Sequence, residues 1–534
     1  MPWYTENARS TSGTNLRARD PSPLSGMCPI CIRDCPVLCE VGKSAFRGRE
    51  VLYPSPEWFG VSTAASNKDY LLNWSDLQIQ VDVLGAHGIA ADPDVAIFPN
   101  ADVSTTAGGV PLKLPVTIPG LGSTDVARRF WDGLAIGAAL SGVILTIGEN
   151  VCGMDSHSLY NGTGKVTHCP DLEYRVRTYR KYWDGKHGDI VVQTNVEDCR
   201  AGVDEYAIKS LGVKTIERKW GQGAKAIGGE VRISDLDKAL ELKRRGYVLI
   251  PDPEDEAVQA AFRGGVFRTF ERHSRVGMPD ERSFVEDVAW LRELGAERVF
   301  LKTGAYHPGV VAFTLRCASQ AKIDLLTFDG AGGGTGMSPV PMMNECSTPT
   351  VYLLAQVLEG VRILRARGKH VPDIAIAGGF VNETQILKAI AMSNFGDGHG
   401  PAVKAIGMAR APITAAMKAS YFVDLAAEGK LPKSFVDLYG ADPEQFFITS
   451  MDLRSTHGDA IGGEIPWSAV GVHTYLSDRL AVGLRQLLAG CRKWKLDLLC
   501  RDDLASLTDR CAKVTGIPLV EEARREAFAD ILDF

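Results

Sequence analysis

From about residue 112 onward, short runs of apolar, β-branched residues alternate with longer stretches whose apolar positions recur at helical spacing. The short runs are LKLPVTIPG (112–120), GVILTIGEN (142–150), DIVVQTN (189–195), TIERKW (215–220), RVFLKTG (298–304), LLTFDG (325–330), DIAIAGG (373–379) and VKAIGMA (403–409). Most of them end in Gly or a polar residue. Helical patterns follow most of them, among them STDVARRFWDGLAIGAAL, VDEYAIKSLG, PGVVAFTLRCASQA, TPTVYLLAQVLEGVRILRARG, TQILKAIAMS and ITAAMKASYFVDLAAEG. Near-continuous apolar strands joined by helices mark a parallel sheet covered on both faces. Eight such units predict an α/β protein built on a closed (β/α)8 barrel of TIM type, a fold for which about 250 residues is typical and insertions are common. A doubly wound open sheet is the alternative. Two segments interrupt the regularity, 151–188 after the second strand and 221–290 after the fourth. Both follow C-terminal strand ends, where barrel enzymes carry their active-site loops.

The flanks differ from this core. Residues 1–25 are polar and aperiodic and read as a flexible arm. Residues 26–110 begin with a cysteine cluster and continue in a mixed pattern with a strand-like LQIQVDVLG (77–85). The barrel is expected over 111–425 and a charged, helical extension over 426–534.

Composition narrows the class. The 534 residues hold 59 Lys+Arg against 65 Asp+Glu, with 45% apolar and 23% charged residues, which are globular proportions. A net charge of −6 without a long basic run argues against nucleic acid as the main partner. No segment has the roughly 18 consecutive apolar residues of a membrane span. The start, MPWYTENARSTSGTNLRARDPSP, lacks the apolar core of a signal peptide. The expectation is a soluble, cytoplasmic protein.

Four of the twelve cysteines, Cys28, Cys31, Cys35 and Cys39, sit together in MCPICIRDCPVLCEVG. Soft thiolates at such short spacing suit an iron–sulfur cluster, preferably 4Fe–4S, and Pro after Cys28 and Cys35 stiffens the loop. Structural zinc is the alternative, although it usually takes two more widely separated Cys pairs. In the barrel the strongest signal is FDGAGGGTGMSP (328–339), with Gly330, Gly332, Gly333, Gly334 and Gly336 directly after a buried strand. Glycines there let backbone approach a flat or anionic ligand and offer N–H donors; the plainer reading is a flexible turn. Gly378 and Gly379 follow the seventh strand, and Gly407 to Arg410 end the eighth. Loops at those two positions frequently build a phosphate site, to which Arg410 adds a charge. Taken singly, each is a strand-end turn; together they suit a flavin mononucleotide.

Further chemistry lies on the same rim. IERKWGQGAKAIGGE (216–230) offers Lys219, Gln222 and Lys225, a cationic and amide set suited to a carboxylate substrate, or else a solvated loop. Glu149 ends the second strand, where a helix cap or salt bridge is the more ordinary role. Lys302 ends the fifth strand. A buried lysine needs a partner, either a ligand anion, a charge developing near a flavin N1–C2=O edge, or a barrel carboxylate. His157, His168, His307 and His457 are isolated and receive no catalytic role.

These residues carry a resemblance. DGAGGGTGMSP (329–339) is similar to the Gly-rich DG-x-x-GGTG-x-x-P segment of glutamate synthases. QGAK (222–225), followed by Gly228 and Gly229, resembles that family's QGAKPGEGG loop. PVTIPGLGS (115–123) corresponds loosely to its first-strand segment, IGEN (147–150) matches NTGEGG through Gly148 and Glu149, and IAGG (376–379) fits the later Gly pair. The stretch from about 112 to 420 thus resembles the FMN-binding synthase domain of that family.

The resemblance implies a (β/α)8 barrel that binds FMN and reduces 2-iminoglutarate, formed from 2-oxoglutarate and ammonia, to glutamate. By position it implies Gln222 and Lys225, with Lys219, on the oxo-acid carboxylates, Lys302 near the flavin pyrimidine and Glu149 facing the ammonia. The implied cofactor set is Gly120, Gly122, Ser123, Gln193, Lys302, Asp329, Gly332, Gly333, Gly334, Thr335, Gly336, Gly378, Gly379, Gly407 and Arg410. The chain departs from the family in three ways. It opens on Met-Pro and not on the amidotransferase's terminal Cys, so ammonia or an amine is the expected nitrogen source. The family's Cys triplet is missing from ARAPITAAMKAS (409–420), and the loop after Gly229-Glu230 differs.

The expected function is therefore an FMN and iron–sulfur oxidoreductase reducing a 2-imino acid with electrons from ferredoxin or a partner flavoprotein. An electron-transfer subunit, an amine dehydrogenase running in reverse, and an FMN barrel of the isomerase kind are the alternatives. A homo-oligomer is compatible with all of them.

Overall fold

The computed structural model describes residues 33–34, 40–48, 66, 68–121, 125–221, 227–228, 230–334 and 338–533. Eight parallel strands close a barrel: β1 (Val116–Ile118), β2 (Ile144–Ile147), β3 (Ile190–Thr194), β4 (Thr215–Lys219), β5 (Arg298–Thr303), β6 (Leu325–Asp329), β7 (Asp373–Ala377) and β8 (Val403–Gly407). Each predicted run supplies one strand, and neighbours in sequence are neighbours in space. The open-sheet alternative fails at two seams. β8 pairs with β1 through Ile406↔Val116 and Gly407↔Thr117, and β4 pairs with β5 through Arg218↔Leu301 and Lys219↔Lys302.

At least one helix follows each strand, among them 131–141, 170–182, 203–209, 281–294, 308–320, 350–366, 383–392 and 410–427. The strands are apolar on both faces because one face meets these helices and the other fills the barrel. The predicted insertions are shorter than the sequence pattern implied, because the first contains a barrel helix and the second runs into one. PDLEYRVRTYRKY (170–182) carries few apolar residues, and only Leu172, Val176 and Tyr179, at i, i+4 and i+7, mark the side it buries. After β4 stands an antiparallel sheet of 230–233, 270–273 and 248–250 with its own core around Ile233, Leu242 and Phe270.

The N-terminal end of the barrel is plugged by a hairpin, 105–107 paired with 110–112. Ala107, Val110 and Leu112 meet Ile144, Val191, Phe300, Leu325, Ala375 and Ala405 in a dry interior cluster. The turn comes so close that a Cβ on Gly108 would lie 2.6 Å from the Phe300 ring. The strand-like stretch 77–85 is realised only at 77–79, which pairs antiparallel with 504–506 of the C-terminal stretch. Val81, Val83 and Leu84 are exposed, so their apolar character wins no strand partner among the described residues.

Candidate functional site

Strand alternation sets the chemistry of the barrel interior. Above the apolar floor, the inward positions nearer the C-terminal ends become polar. β3 and β4 pair Gln193 with Glu217, and β4 and β5 pair Lys219 with Lys302. Gln193 Nε2 donates to Glu217 Oε1 at 2.5 Å. Lys302 Nζ lies 3.3 Å from Asp329 Oδ2, and Lys219 Nζ lies 2.6 Å from Glu149 Oε1. Gln193, Glu217 and Lys302 are 1%, 4% and 4% exposed, so this is a desolvated layer of two ammonium groups, three carboxyls and an amide.

Burial disfavours charge on Lys302, but Asp329, Glu217 and Glu149 together hold its ammonium above the ordinary lysine value. For Glu217 burial wins. Its carboxyl is pushed above the usual glutamate value despite Lys302, the Gln193 amide and Lys219. Lys302 therefore has the barrel carboxylate that the sequence offered as one of its possible partners.

The glycines lie along the same rim. A Cβ on Gly120 would stand 2.7 Å from the Gly148 backbone and 3.2 Å from Gln193 Oε1. One on Gly332 would stand 3.0 Å from the Gly378 carbonyl oxygen, and one on Gly378 would stand 2.5 Å from that of Gly330. Gly332 and Gly378 both have φ of 115°, which favours glycine. The Gly330 N–H bonds to the Ala377 carbonyl at 2.8 Å, so the loops after β6 and β7 are laced together. Thr350, at the head of helix 350–366, adds a clamp: its hydroxyl reaches the carbonyls of Ala331 and Gly378 at 2.8 and 2.7 Å. Beside these loops is a cavity of about 320 Å³ lined by Tyr70, Trp74, Gly332, Gly378, Gly379 and Lys388.

The loop after β2 is held from below. Asp198 accepts the Asn150 N–H with both oxygens, at 3.1 and 3.0 Å, while Asn150 sits at φ 65°. Burial pushes the Asp198 carboxyl up to about 7, against the bonds from Asn150 and Asn195. Tyr247 of the inserted sheet donates to Asn150 Oδ1 at 3.3 Å, so that insertion packs against the Glu149 loop.

The structure thus brings together Gly120, Glu149, Gln193, Lys219, Lys302, Asp329, Gly332, Gly333, Gly378 and Gly379. Gly407 is buried there, its Cβ position 2.7 Å from that of Ala377. Gly334 is exposed, and exposed Arg410 opens helix 410–427. Gly122, Ser123, Gln222, Lys225, Thr335 and Gly336 lie outside the described residues, as do Cys28, Cys31, Cys35 and Cys39. Among the described residues no group of three or more His, Cys, Asp or Glu is placed to hold a metal ion, and no helix is long and apolar enough to cross a membrane. Sequence reading missed Glu217, Asp198 and Thr350. Only Glu217 left a signal, as a carboxylate inside the apolar run TIERKW two residues before Lys219.

Comparison with known proteins bears on the barrel's second half first. Residues 275–402 match the conserved region in glutamate synthase. The archaeal glutamate synthase [NADPH] of Archaeoglobus fulgidus is 24% identical over 297 residues, which is 55% of this chain and 47% of that protein. The chain spans about half the length of that curated relative. Among solved structures, monotopic membrane protein (S)-mandelate dehydrogenase aligns with 81% of this chain and 89% of its own at 14% identity and a TM-score of 0.43. The recombinant flavin-binding domain of baker's yeast flavocytochrome b2 aligns with 86% of this chain and 81% of its own at 12% identity and a TM-score of 0.42. The second half of the barrel is thus similar to the conserved region in glutamate synthase, and about half of the chain is similar to an archaeal glutamate synthase.

Proposed function

We propose that the barrel mouth binds FMN and that the protein is an oxidoreductase of glutamate-synthase type. It would reduce a 2-imino acid, formed from 2-oxoglutarate and ammonia or an amine, to an amino acid. The observation that carries this reading is Gln193 Oε1, a buried acceptor without a hydrogen-bond partner among the described residues, beside the glycine rim. An acceptor buried without a donor costs about 1–3 kcal/mol, so the site is built for an incoming N–H. An oxidised flavin carries one ring N–H, on N3, which the Gln193 acceptor would meet, and Gly120, Gly332 and Gly378 let the strand-end loops close backbone to backbone beside it, since a Cβ on any of them would press on a neighbouring loop. The residues present therefore fit FMN.

When bound, FMN would supply hydride transfer to the imine carbon. The chain's own groups do the rest. The Lys302 ammonium, already balanced by Asp329, would stabilise negative charge at the pyrimidine edge. Lys219 would meet a substrate carboxylate by exchanging it for Glu149, which frees that carboxylate to face the nitrogen. Gln222 and Lys225 would complete the dicarboxylate grip, as the resemblance implies. Cys28, Cys31, Cys35 and Cys39 would hold an iron–sulfur cluster, which would supply electron transfer from ferredoxin or a flavoprotein. The test is conversion of 2-oxoglutarate plus ammonium to glutamate by the purified protein under dithionite. Glutamate formation that Lys219→Ala abolishes supports the reading, and no turnover with FMN bound at full occupancy contradicts it.

A further inference from the structure

The Gln193 amide can sit in two orientations that differ only in which atom points up into the mouth. Its surroundings choose one. Below it is Glu217, 4% exposed, whose Oε1 accepts the Gln193 amide N–H at 2.5 Å. The amide oxygen is thereby turned to the opposite side, where it has no partner among the described residues and lies 3.2 Å from the Cβ position of Gly120. Countercharge for Glu217 comes from Lys302 and Lys219 in the same layer.

Building on the flavin reading, we infer that Glu217 is a positioning residue: it locks the Gln193 amide so that the site presents an acceptor, and not a donor, to the N3–H of the bound ring. Glu217 touches neither substrate nor ring in this arrangement and acts through Gln193. It also places a negative charge in the layer that holds Lys302, so its removal leaves that ammonium less neutralised and favours the reduced, more anionic form of a bound flavin.

The experiment uses the deflavinated full-length protein, titrated with FMN and with 3-deaza-FMN, an isostere whose ring carries C–H in place of N3–H. Wild type should prefer FMN by about tenfold, the worth of one buried hydrogen bond. Glu217→Gln, which can donate as well as accept, should lower that preference to threefold or less and shift the bound flavin's reduction potential to more positive values. A merely structural carboxylate would leave the preference unchanged. Gln193→Met gives the same loss of preference with Glu217 in place, which keeps the inference testable if Glu217→Gln does not fold. An undiminished preference in Glu217→Gln overturns the role of Glu217 alone, and equal affinity of wild type for the two ligands overturns the Gln193 contact as well. Failure of wild type to take up either ligand overturns the flavin reading and this inference with it.

Discussion

The two ends of the barrel interior are built from the same strands and differ by one turn of the strand repeat. At the N-terminal end Phe300, Val191 and Leu325 meet the plugging hairpin in an apolar cluster. Two residues further along the same strands, Lys302 and Gln193 enter a layer of paired charges. Burial is nearly complete at both levels, so desolvation alone does not distinguish core from site. The difference lies in what the buried groups still lack. The floor needs nothing further, whereas the mouth retains an acceptor on Gln193 and a rim where Cβ atoms are excluded.

Substitutions at the two levels should separate along that line. Phe300→Ala opens a cavity and should cost about 3–5 kcal/mol by denaturant unfolding, while the folded protein binds FMN unchanged. Lys302→Met should cost a comparable amount, about 3–5 kcal/mol, because it strands Asp329 and Glu217 as buried carboxyls. In contrast to Phe300→Ala, it should abolish FMN retention. Similar flavin binding in the two variants would erase the distinction between floor and mouth.

Within the rim, Gly378→Ala places a Cβ 2.5 Å from the Gly330 carbonyl at φ 115° and should weaken FMN at least about 100-fold in a fluorescence titration, the equivalent of about 2.7 kcal/mol. The support beneath the rim should respond to pH. The Asp198 carboxyl is raised to about 7 from 3.8, so the folded state holds its proton more tightly than the unfolded chain. That contribution is complete below about pH 4 and is lost as pH rises towards 7, with a slope of up to about 1.4 kcal/mol per pH unit. Asp198→Asn should remove this part of the stability profile, and an identical profile in the variant would rule the residue out as its source. The smallest effect belongs to Gly396→Ala, a left-handed glycine with open space around it and far from β6 in sequence. About 1 kcal/mol of stability should go, with FMN affinity unaltered.

The sequence reveals the barrel clearly because eight β-branched runs, each closed by Gly or a polar group, leave few other ways to bury both faces. It reveals the rim glycines and Lys302 for a related reason: such residues are costly in buried strands unless something uses them. Helix 170–182 was hidden by its charges: Arg177 and Lys181 face solvent, but Arg175 is buried with the apolar side. Asp198 and Thr350 were hidden because a capping aspartate and a helix-starting threonine look the same in sequence whether or not their second oxygen contact or hydroxyl reaches a neighbouring loop. The pairing of Lys219 with Glu149 needed the register of β4 against its neighbours, which no local pattern contains.

The central claim is that the glycine-lined mouth above the Lys302 layer is a flavin site. Its most direct test is the amount of FMN released per chain from freshly purified protein after reconstitution with excess FMN and gel filtration. The account predicts close to one FMN per chain for wild type and for Gly396→Ala, and almost none for Gly378→Ala. A wild-type protein that leaves the column without flavin, or a Gly378→Ala protein that carries as much as wild type, would contradict it.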